Sequence, residues 1–252
     1  MREALPPWVA GAMSLGVAER TALGIVLVVA PHADDESLGC GGLVALLADA
    51  GQVVWIVAVS DGCASHPGSI AFDARARREL REAELVAAAA CLGVPPARVM
   101  HMGLPDGAVP AADEPGFTAG AGALCTLVRA TRATTLLVPW RRDSHRDHRA
   151  TWALARAAAD GSGPLRPRLL EYLVWAGERG EPGDLPGRGE AAVWRVDVRS
   201  VQDRKRRAIA AHRSQAGLVI TDDPTGFTLP AAMRERAAGP TEYFLQVRER
   251  MA

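Results

Sequence analysis

The 252-residue sequence lacks the features that would place it in a membrane, on a polyanion or in a disulfide frame. No stretch approaches the roughly 20 apolar residues needed to span a bilayer, and the N-terminus has no charged-then-apolar pattern with a cleavage site. The expectation is a cytoplasmic protein with no membrane span. Twenty-nine Lys and Arg balance twenty-nine Asp and Glu, so no global field draws in nucleic acid or an anionic surface, and specificity has to be local. There are only four cysteines, Cys40, Cys63, Cys91 and Cys125, and no C-x-x-C pair. That fits reduced, mostly buried thiols and supports neither a disulfide frame nor a closed cysteine-rich zinc site. No internal repeat or domain boundary is visible. Neither phosphate-loop template is met, because Gly39, Gly41 and Gly42 in "SLGCGG" are spaced neither as G-x-G-x-x-G nor as G-x-x-x-x-G-K. Acids just before them would repel a pyrophosphate, so these glycines are expected to let a helix pack closely on a sheet.

What is present is a β-helix-β alternation with 48% hydrophobic residues, ample for a sizeable core. Short β-branched or aliphatic runs read as strands: "GIVLVVA" (24–30), "VVWIVAVSD" (53–61), "RVMHMG" (98–103), "TLLVPW" (135–140), "RLLEYLVW" (168–175), "AAVWRVDV" (191–198) and "EYFLQVR" (242–248). Between them, "LVALLADAG" (43–51), residues 74–93 ending at Gly93, "ALCTLVRAT" (123–131), residues 145–161 and the basic segment 201–217 read as helices. The pattern predicts one α/β domain over 1–252, a mostly parallel Rossmann-like sheet flanked by helices. A Gly/Pro-rich loop at 176–190 is expected to be exposed, and the basic helix is expected to present a solvated face.

Two charged clusters sit where strands end. "HADDE" (32–36) follows the first strand, and in an open parallel sheet ligands bind beyond the carboxyl ends of the strands. Crowding Asp34, Asp35 and Glu36 costs repulsion and desolvation unless a cation or proton offsets it. His32 and Asp35, three residues apart, are close enough to ligate one ion, and imidazole plus carboxylate suits zinc; Asp34 then points elsewhere. The plainer alternative is that the acids favour a helix N-terminus, with Asp34 or Asp35 as its cap. The second cluster, "PWRRDSHRDHRAT" (139–151), offers His145, Asp147 and His148. At i and i+3 its histidines share one side of a turn, so one could ligate while the other faces a substrate. Here the alternative is a solvated helix start capped by Asp143 or Ser144.

With "PHADDESLG" (31–39) and "DSHRDHRAT" (143–151), the sequence resembles the PIG-L/LmbE family of zinc-dependent N-acetylglucosamine deacetylases. In that family a His-Pro-Asp-Asp-Glu motif and a later His-x-Asp-His motif follow two strands of a Rossmann-like sheet. The likeness runs from about residue 24 to about residue 215. "RELREAELVAAAACLGV" (78–94) is similar to the family's R-x-x-E helix, "GLPDG" (103–107) to its Leu-Pro-Asp-Gly turn, and "AIAAHRSQ" (208–215) to its Ala-x-x-His-x-Ser-Gln segment. The resemblance implies His32, Asp35 and His148 as ligands of Zn²⁺ or another divalent metal, and Asp34 as general base. It further implies a protonated His145 facing the oxyanion and leaving group, Asp147 as the carboxylate orienting it, and Arg81 as a substrate contact. It implies an N-acylated amino sugar or glycoconjugate as substrate, and leaves homo-oligomers open. Two positions depart from the pattern, Ala33 and Arg146, each where proline is usual, which touches turn rigidity and substrate preference but removes no functional group.

The rivals are an amidase of the same family acting on a different bond, such as a thiol conjugate or a longer acyl chain, and a metal-dependent sugar- or nucleotide-binding protein. Under the latter, Asp34 and His145 would have no task. The loop at 176–190 and the segment 106–117 are the expected seats of substrate choice. His66 is expected to be an exposed loop histidine or else to approach the pocket rim, His101 a satisfied core or strand-end residue, and His212 either a substrate contact or a packing residue.

Overall fold

The computed structural model describes residues 7–9, 11–175, 183–187 and 189–247. Along the chain lie β1 (Met13–Ser14), α1 (Val17–Thr21), β2 (Val26–Ala30), α2 (Asp35–Asp49), β3 (Val54–Ser60), α3 (Ala74–Leu92), β4 (Val99–Leu104) and α4 (Phe117–Thr131). They are followed by β5 (Thr135–Pro139), α5 (Arg146–Gly161), β6 (Arg168–Tyr172), β7 (Ala191–Asp197), α6 (Gln202–Ala211), α7 (Ala231–Ala237) and β8 (Thr241–Val247). The strands form one sheet in the order β1-β7-β8-β6-β5-β2-β3-β4. β8 is antiparallel to β6 and β7, while the other pairings are parallel. The fold class is therefore the one read from the sequence, an α/β protein with a mostly parallel Rossmann-like sheet.

The central strands β2, β3 and β5 are buried almost throughout, and the side chains of β2 alternate between two cores. On β2, Val26 and Val28 join the cluster under α2, α3 and α6, whereas Leu27 and Val29 join the cluster under α4 and α5. All four are 0% exposed, so truncating any one to alanine opens a cavity that costs about 2–4 kcal/mol.

α2 begins at Asp35, eight residues before the helix expected at 43–51. The three glycines hid it, and packing is the reason they are there. A Cβ on Gly39 would lie 2.2 Å from the Tyr172 ring, and one on Gly42 would lie 2.5 Å from Val198. Such contacts leave no room for a side chain, as the close-packing expectation required. The N–H groups of Gly42 and Leu43 also donate to the Glu242 carboxylate of β8, at 2.6 and 2.8 Å. Glu242 in turn pairs with Lys205 Nζ at 2.7 Å, so the basic helix α6 is not wholly a solvated face: Lys205 points inward and is buried. α3 ends at Gly93 in the left-handed region (φ 84°), as its sequence predicts. α6 stops at Ala211, short of the expected 217, because His212 leaves the helical path and turns its ring into the core. Residues 176–182 and 188 of the Gly/Pro-rich loop, and Arg248 of the last expected strand, lie outside the described residues.

Candidate active site

β2 and β5 are neighbours from which the chain departs in opposite directions, through α2 to β3 on one side and through α5 to β6 on the other. A crevice at such a switch point, beyond the carboxyl ends of the strands, is where doubly wound sheets bind ligands. His32, Asp34 and Asp35 follow β2 there, and His145, Asp147 and His148 follow β5. The turn after β4 adds Asp106.

Asp35 is the hub. Its Oδ2 accepts the His32 backbone N–H at 2.9 Å and lies 3.3 Å from His32 Nδ1 and 3.2 Å from His148 Nε2. The structure thus brings together the three residues that the sequence nominated as ligands. His148 is fully buried, and neither ring nitrogen makes a hydrogen bond of normal geometry. Asp143 Oδ1 stands 3.5 Å behind its Nδ1. Nitrogens of His32, His145 and His148 approach within 4.8 Å of one another, as do donor atoms of His32, Asp106 and Asp147. A buried imidazole without a hydrogen bond, facing a carboxylate and two more imidazoles, is a donor set that fits a divalent cation of the zinc type.

Electrostatics agree with that fit. Burial pushes the Asp35 carboxyl up, but the His148 and His32 imidazoles outweigh it and hold the group well below the usual carboxylate range. Burial lowers His148, yet Asp35 and Asp143 raise it to about 9. Without a cation the centre is held together by imidazolium–carboxylate attraction, which a bound metal would replace.

His32 is gripped from its far side. Its Nε2 is 3.2 Å from Asp106 Oδ1 and 3.2 Å from Asp147 Oδ2, so two carboxylates keep Nδ1 aimed at Asp35. This corrects the role expected of Asp147. Its carboxylate does not reach His145; it accepts from His32 and from the backbone N–H groups of Gly107 (2.7 Å) and Val109 (3.3 Å). The cause is capping: His145 is the N-cap of α5, and its Nδ1 accepts the Asp147 backbone N–H at 3.2 Å, which sends the Asp147 side chain the other way. The same bond assigns the His145 proton to Nε2. Burial first, then the His32 and His148 cations, push His145 down to about 4, so it is a neutral donor, not the protonated group expected.

Asp34 belongs to neither converging set. It occupies the N-cap position of α2 without making a capping hydrogen bond, and Asp35 and Glu36 fall in the first turn, so the acids do sit at a helix N-terminus, as the plainer reading of "HADDE" expects, while Asp34 does not cap it. Burial raises its carboxyl to about 6, against the pull of Arg81 and with the push of Asp35. Arg81 is 4% exposed, and its Nη2 donates to Ala33 O at 2.8 Å and to Asp34 Oδ2 at 3.4 Å.

The other motif residues form the support beneath. Glu36 pairs with His212 Nε2 at 2.8 Å and accepts the Ser37 hydroxyl at 2.6 Å. Glu84 accepts the backbone N–H and the hydroxyl of Ser214 at 2.7 and 2.6 Å. His212, 1% exposed, is a packing residue. His66 is equally buried, against the expectation of an exposed loop histidine, with Gly226 against its ring and Ser65 Oγ 3.1 Å from Nδ1. His101 is half-buried on the edge strand β4. Sequence reasoning assigned no role to Asp106 and offered Asp143 only as a helix cap, a position that His145 takes. The position of Asp106 in "GLPDG", just past the carboxyl end of β4, was the available signal; for Asp143 it was its place in the second cluster.

The family model for PIG-L, described as GlcNAc-PI de-N-acetylase, matches residues 27–159. No curated protein matches the chain significantly. Among solved structures, a conserved protein of Thermus thermophilus is 29% identical, with 77% of this chain and 80% of that one covered and a TM-score of 0.59. The N,N'-diacetylchitobiose deacetylase of Pyrococcus horikoshii is 21% identical, with 84% and 73% covered and a TM-score of 0.61. The 4-carboxy-2-hydroxymuconate hydratase of Pseudomonas putida is also 21% identical, with 91% and 100% covered and a TM-score of 0.63. The fold is common to all of them, and the last two differ in the reaction named.

Proposed function

Because the chain belongs to the PIG-L family, whose model spans more than half of it, we propose that it is a zinc-dependent hydrolase that removes an N-acetyl or other N-acyl group from an amino sugar or a glucosamine-containing conjugate. The observation that carries this reading is the division of labour among adjacent acids. Asp35 meets His32 and His148, whereas Asp34, one residue away, is buried outside that set with its carboxyl raised to about 6. A ligand cluster beside an uncommitted carboxylate of near-neutral affinity for protons is what water-driven amide cleavage needs.

His32, Asp35 and His148 would hold the metal, which when bound supplies Lewis acidity to water and to the amide carbonyl. Asp34 accepts the proton of the attacking water. Arg81 keeps the Asp34 carboxylate and the Ala33 carbonyl in place, and Asp106 and Asp147 fix His32. His145, neutral and with its proton on Nε2, donates to the oxygen that gains charge, and one such preorganised donor contributes ~3 kcal/mol at the transition state. Asp34, protonated in the first step, returns that proton to the leaving amine, so the proton taken from water departs with the product.

The test is Asp34→Asn, which keeps size and polarity but cannot take the proton. Zinc should stay near one per chain by elemental analysis, while kcat on an N-acetylated amino sugar falls ~10²- to 10⁴-fold. Near-wild-type turnover in the metal-replete variant would sink the mechanism. Because one neighbour in fold is a hydratase, an unsaturated carboxylate belongs in the same screen; turnover of it in preference to every N-acyl sugar would replace the deacylase reading.

A further inference from the structure

Beside the proposed active site runs a groove of about 1030 Å³ between the edge strand β4 and helix α4. Its lining is mainly apolar, with Met102, Leu104, Pro105, Ala108, Pro110 and Leu127 along its length. The charges at its rim, Glu114 and Arg146, are spent on each other, with Arg146 Nη2 2.5 Å from Glu114 Oε2. Burial pushes His101, at the far end, towards its neutral form. The groove therefore offers hydrocarbon contact and no uncompensated charge. From Gly116 at the rim to Leu127 it follows eleven residues of helix, roughly 16 Å, which is the reach of an extended acyl chain rather than of an acetyl group.

The groove and the reaction centre share one wall, the turn at 105–108. Asp106 faces the centre and touches His32, while Pro105 and Ala108 face the groove. Gly107 (φ 77°) lies in this wall without a side chain, a Cβ there would meet nothing within 4 Å, and both Gly107 and Ala108 are exposed, so the turn forms a saddle open to solvent. α5 holds the turn rigidly from two adjacent residues. The Asp147 carboxylate takes the Gly107 and Val109 N–H groups, and the Arg146 guanidinium donates to the Gly107 and Val109 carbonyls at 3.4 and 3.2 Å. Arg146, which stands where relatives usually carry proline, thus braces the saddle between the two spaces.

Resting on the deacylase reading above, we propose that this groove binds the acyl chain of the substrate, so that the enzyme's preferred substrates are amino sugars carrying a medium- or long-chain N-acyl group. An acyl chain starts at the reacting carbon, and the apolar surface that adjoins the centre lies across the 105–108 turn, whose Asp106 touches His32 and whose Pro105 and Ala108 line the groove. A sugar could not use the same groove, since its hydroxyls would find almost no partner there.

The experiment compares kcat/KM of the metal-loaded enzyme on N-acetyl-, N-hexanoyl- and N-decanoylglucosamine, and the Kd of decanoate and acetate by calorimetry. It uses the wild type and two groove-filling variants, Ala123→Trp and Ala119→Trp, both at exposed positions of α4 that line the groove. The wild type should prefer the decanoyl over the acetyl substrate by ~10²-fold, since burial of only a few methylenes is enough for that. Decanoate should bind correspondingly tighter than acetate, and both ratios should fall at least tenfold in each variant. Equal kcat/KM for all three sugars, or a decanoyl preference that survives both tryptophans, overturns the proposal. So does a wild-type dimer that the tryptophans dissociate without any chain-length effect, which would give the groove to a second copy. If none of the sugars is cleaved, it is the deacylase reading that fails. The groove is then judged by the fatty acids, and decanoate binding no tighter than acetate overturns it.

Discussion

Asp147→Asn separates the role expected of this residue from the role its geometry gives it. In the folded protein the carboxylate is fully buried and takes three donors: His32 Nε2 at 3.2 Å and the N–H groups of Gly107 and Val109 at 2.7 and 3.3 Å. An asparagine keeps one acceptor oxygen and presents an NH₂ to donors on its other side, so at least one buried N–H loses its partner. That loss costs about 1–3 kcal/mol of stability. The His32 imidazole loses one of the two carboxylates that aim Nδ1 at Asp35, and removal of such an outer partner lowers metal affinity ~10- to 100-fold. The assay is zinc competition against a chromophoric chelator on metal-depleted protein, with urea denaturation on the same samples. If Asp147 instead oriented His145, zinc affinity would stay at the wild-type value and only kcat would fall. Unchanged zinc affinity in a folded Asp147→Asn protein would refute the argument from His32.

Zinc binding should release protons and weaken as pH falls, because His148, raised to about 9, is charged at neutral pH until the metal displaces its proton; calorimetry in buffers of different ionisation enthalpy measures this, and no proton release at pH 7 contradicts it. The same shift sets a stability trend for the metal-free protein: the His148 contribution is complete below the ordinary histidine value near ~6.5 and fades as pH rises towards about 9, so Tm should decline over that window. Gly39→Ala should destabilise by ~1–3 kcal/mol although alanine is the better helix former. The new Cβ would lie 2.2 Å from a Tyr172 ring that is fully buried and tied by its hydroxyl to Val29 O at 3.0 Å, and a rise in Tm would show that the ring can give. Arg146→Pro should change stability by less than ~1 kcal/mol, because position 146 is the first helical residue of α5 and His145 before it is already extended (φ −82°, ψ 131°). A loss of several kcal/mol would mean that the exposed Arg146–Glu114 pair carries more than such pairs normally do.

The central strands were legible because short runs rich in β-branched and aliphatic residues are too short for helices, and β2, β3, β5 and β6 fall on the runs that announced them. α2 was legible only from its second half, since "SLGCGG" looks like a helix breaker until Tyr172 and Val198, more than a hundred residues later, are seen to occupy the missing side chains' space. In the site, spacing and position at strand ends led to His32, Asp34, Asp35, His145, Asp147 and His148. They could not say which way each side chain turns. Whether Asp147 faces His145 or His32 depends on a cap that consumes its own N–H, and the burial of His66 depends on Gly226, 160 residues away. Asp106 in "GLPDG" and Asp143 in "DSHRDHRAT" lie in segments the sequence singled out, but their tasks beside His32 and His148 were not legible, because a carboxylate that steadies an imidazole needs only to be near it in space.

Glu242 has a consequence for the order in which the protein assembles. Its carboxylate closes on Gly42 and Leu43 across a sequence separation of 200 and 199 residues, and its strand, β8, is inserted between β6 and β7 as the antiparallel link that joins β7 and β1 to the rest of the sheet. During synthesis, α2 and the acids at its start are therefore made early but lack their anchor until β8 emerges. Closing so long a loop is slow. Folding intermediates should carry the β2–β6 sheet with a loosely seated α2, and competence to bind metal should appear with the last folding phase rather than with the first.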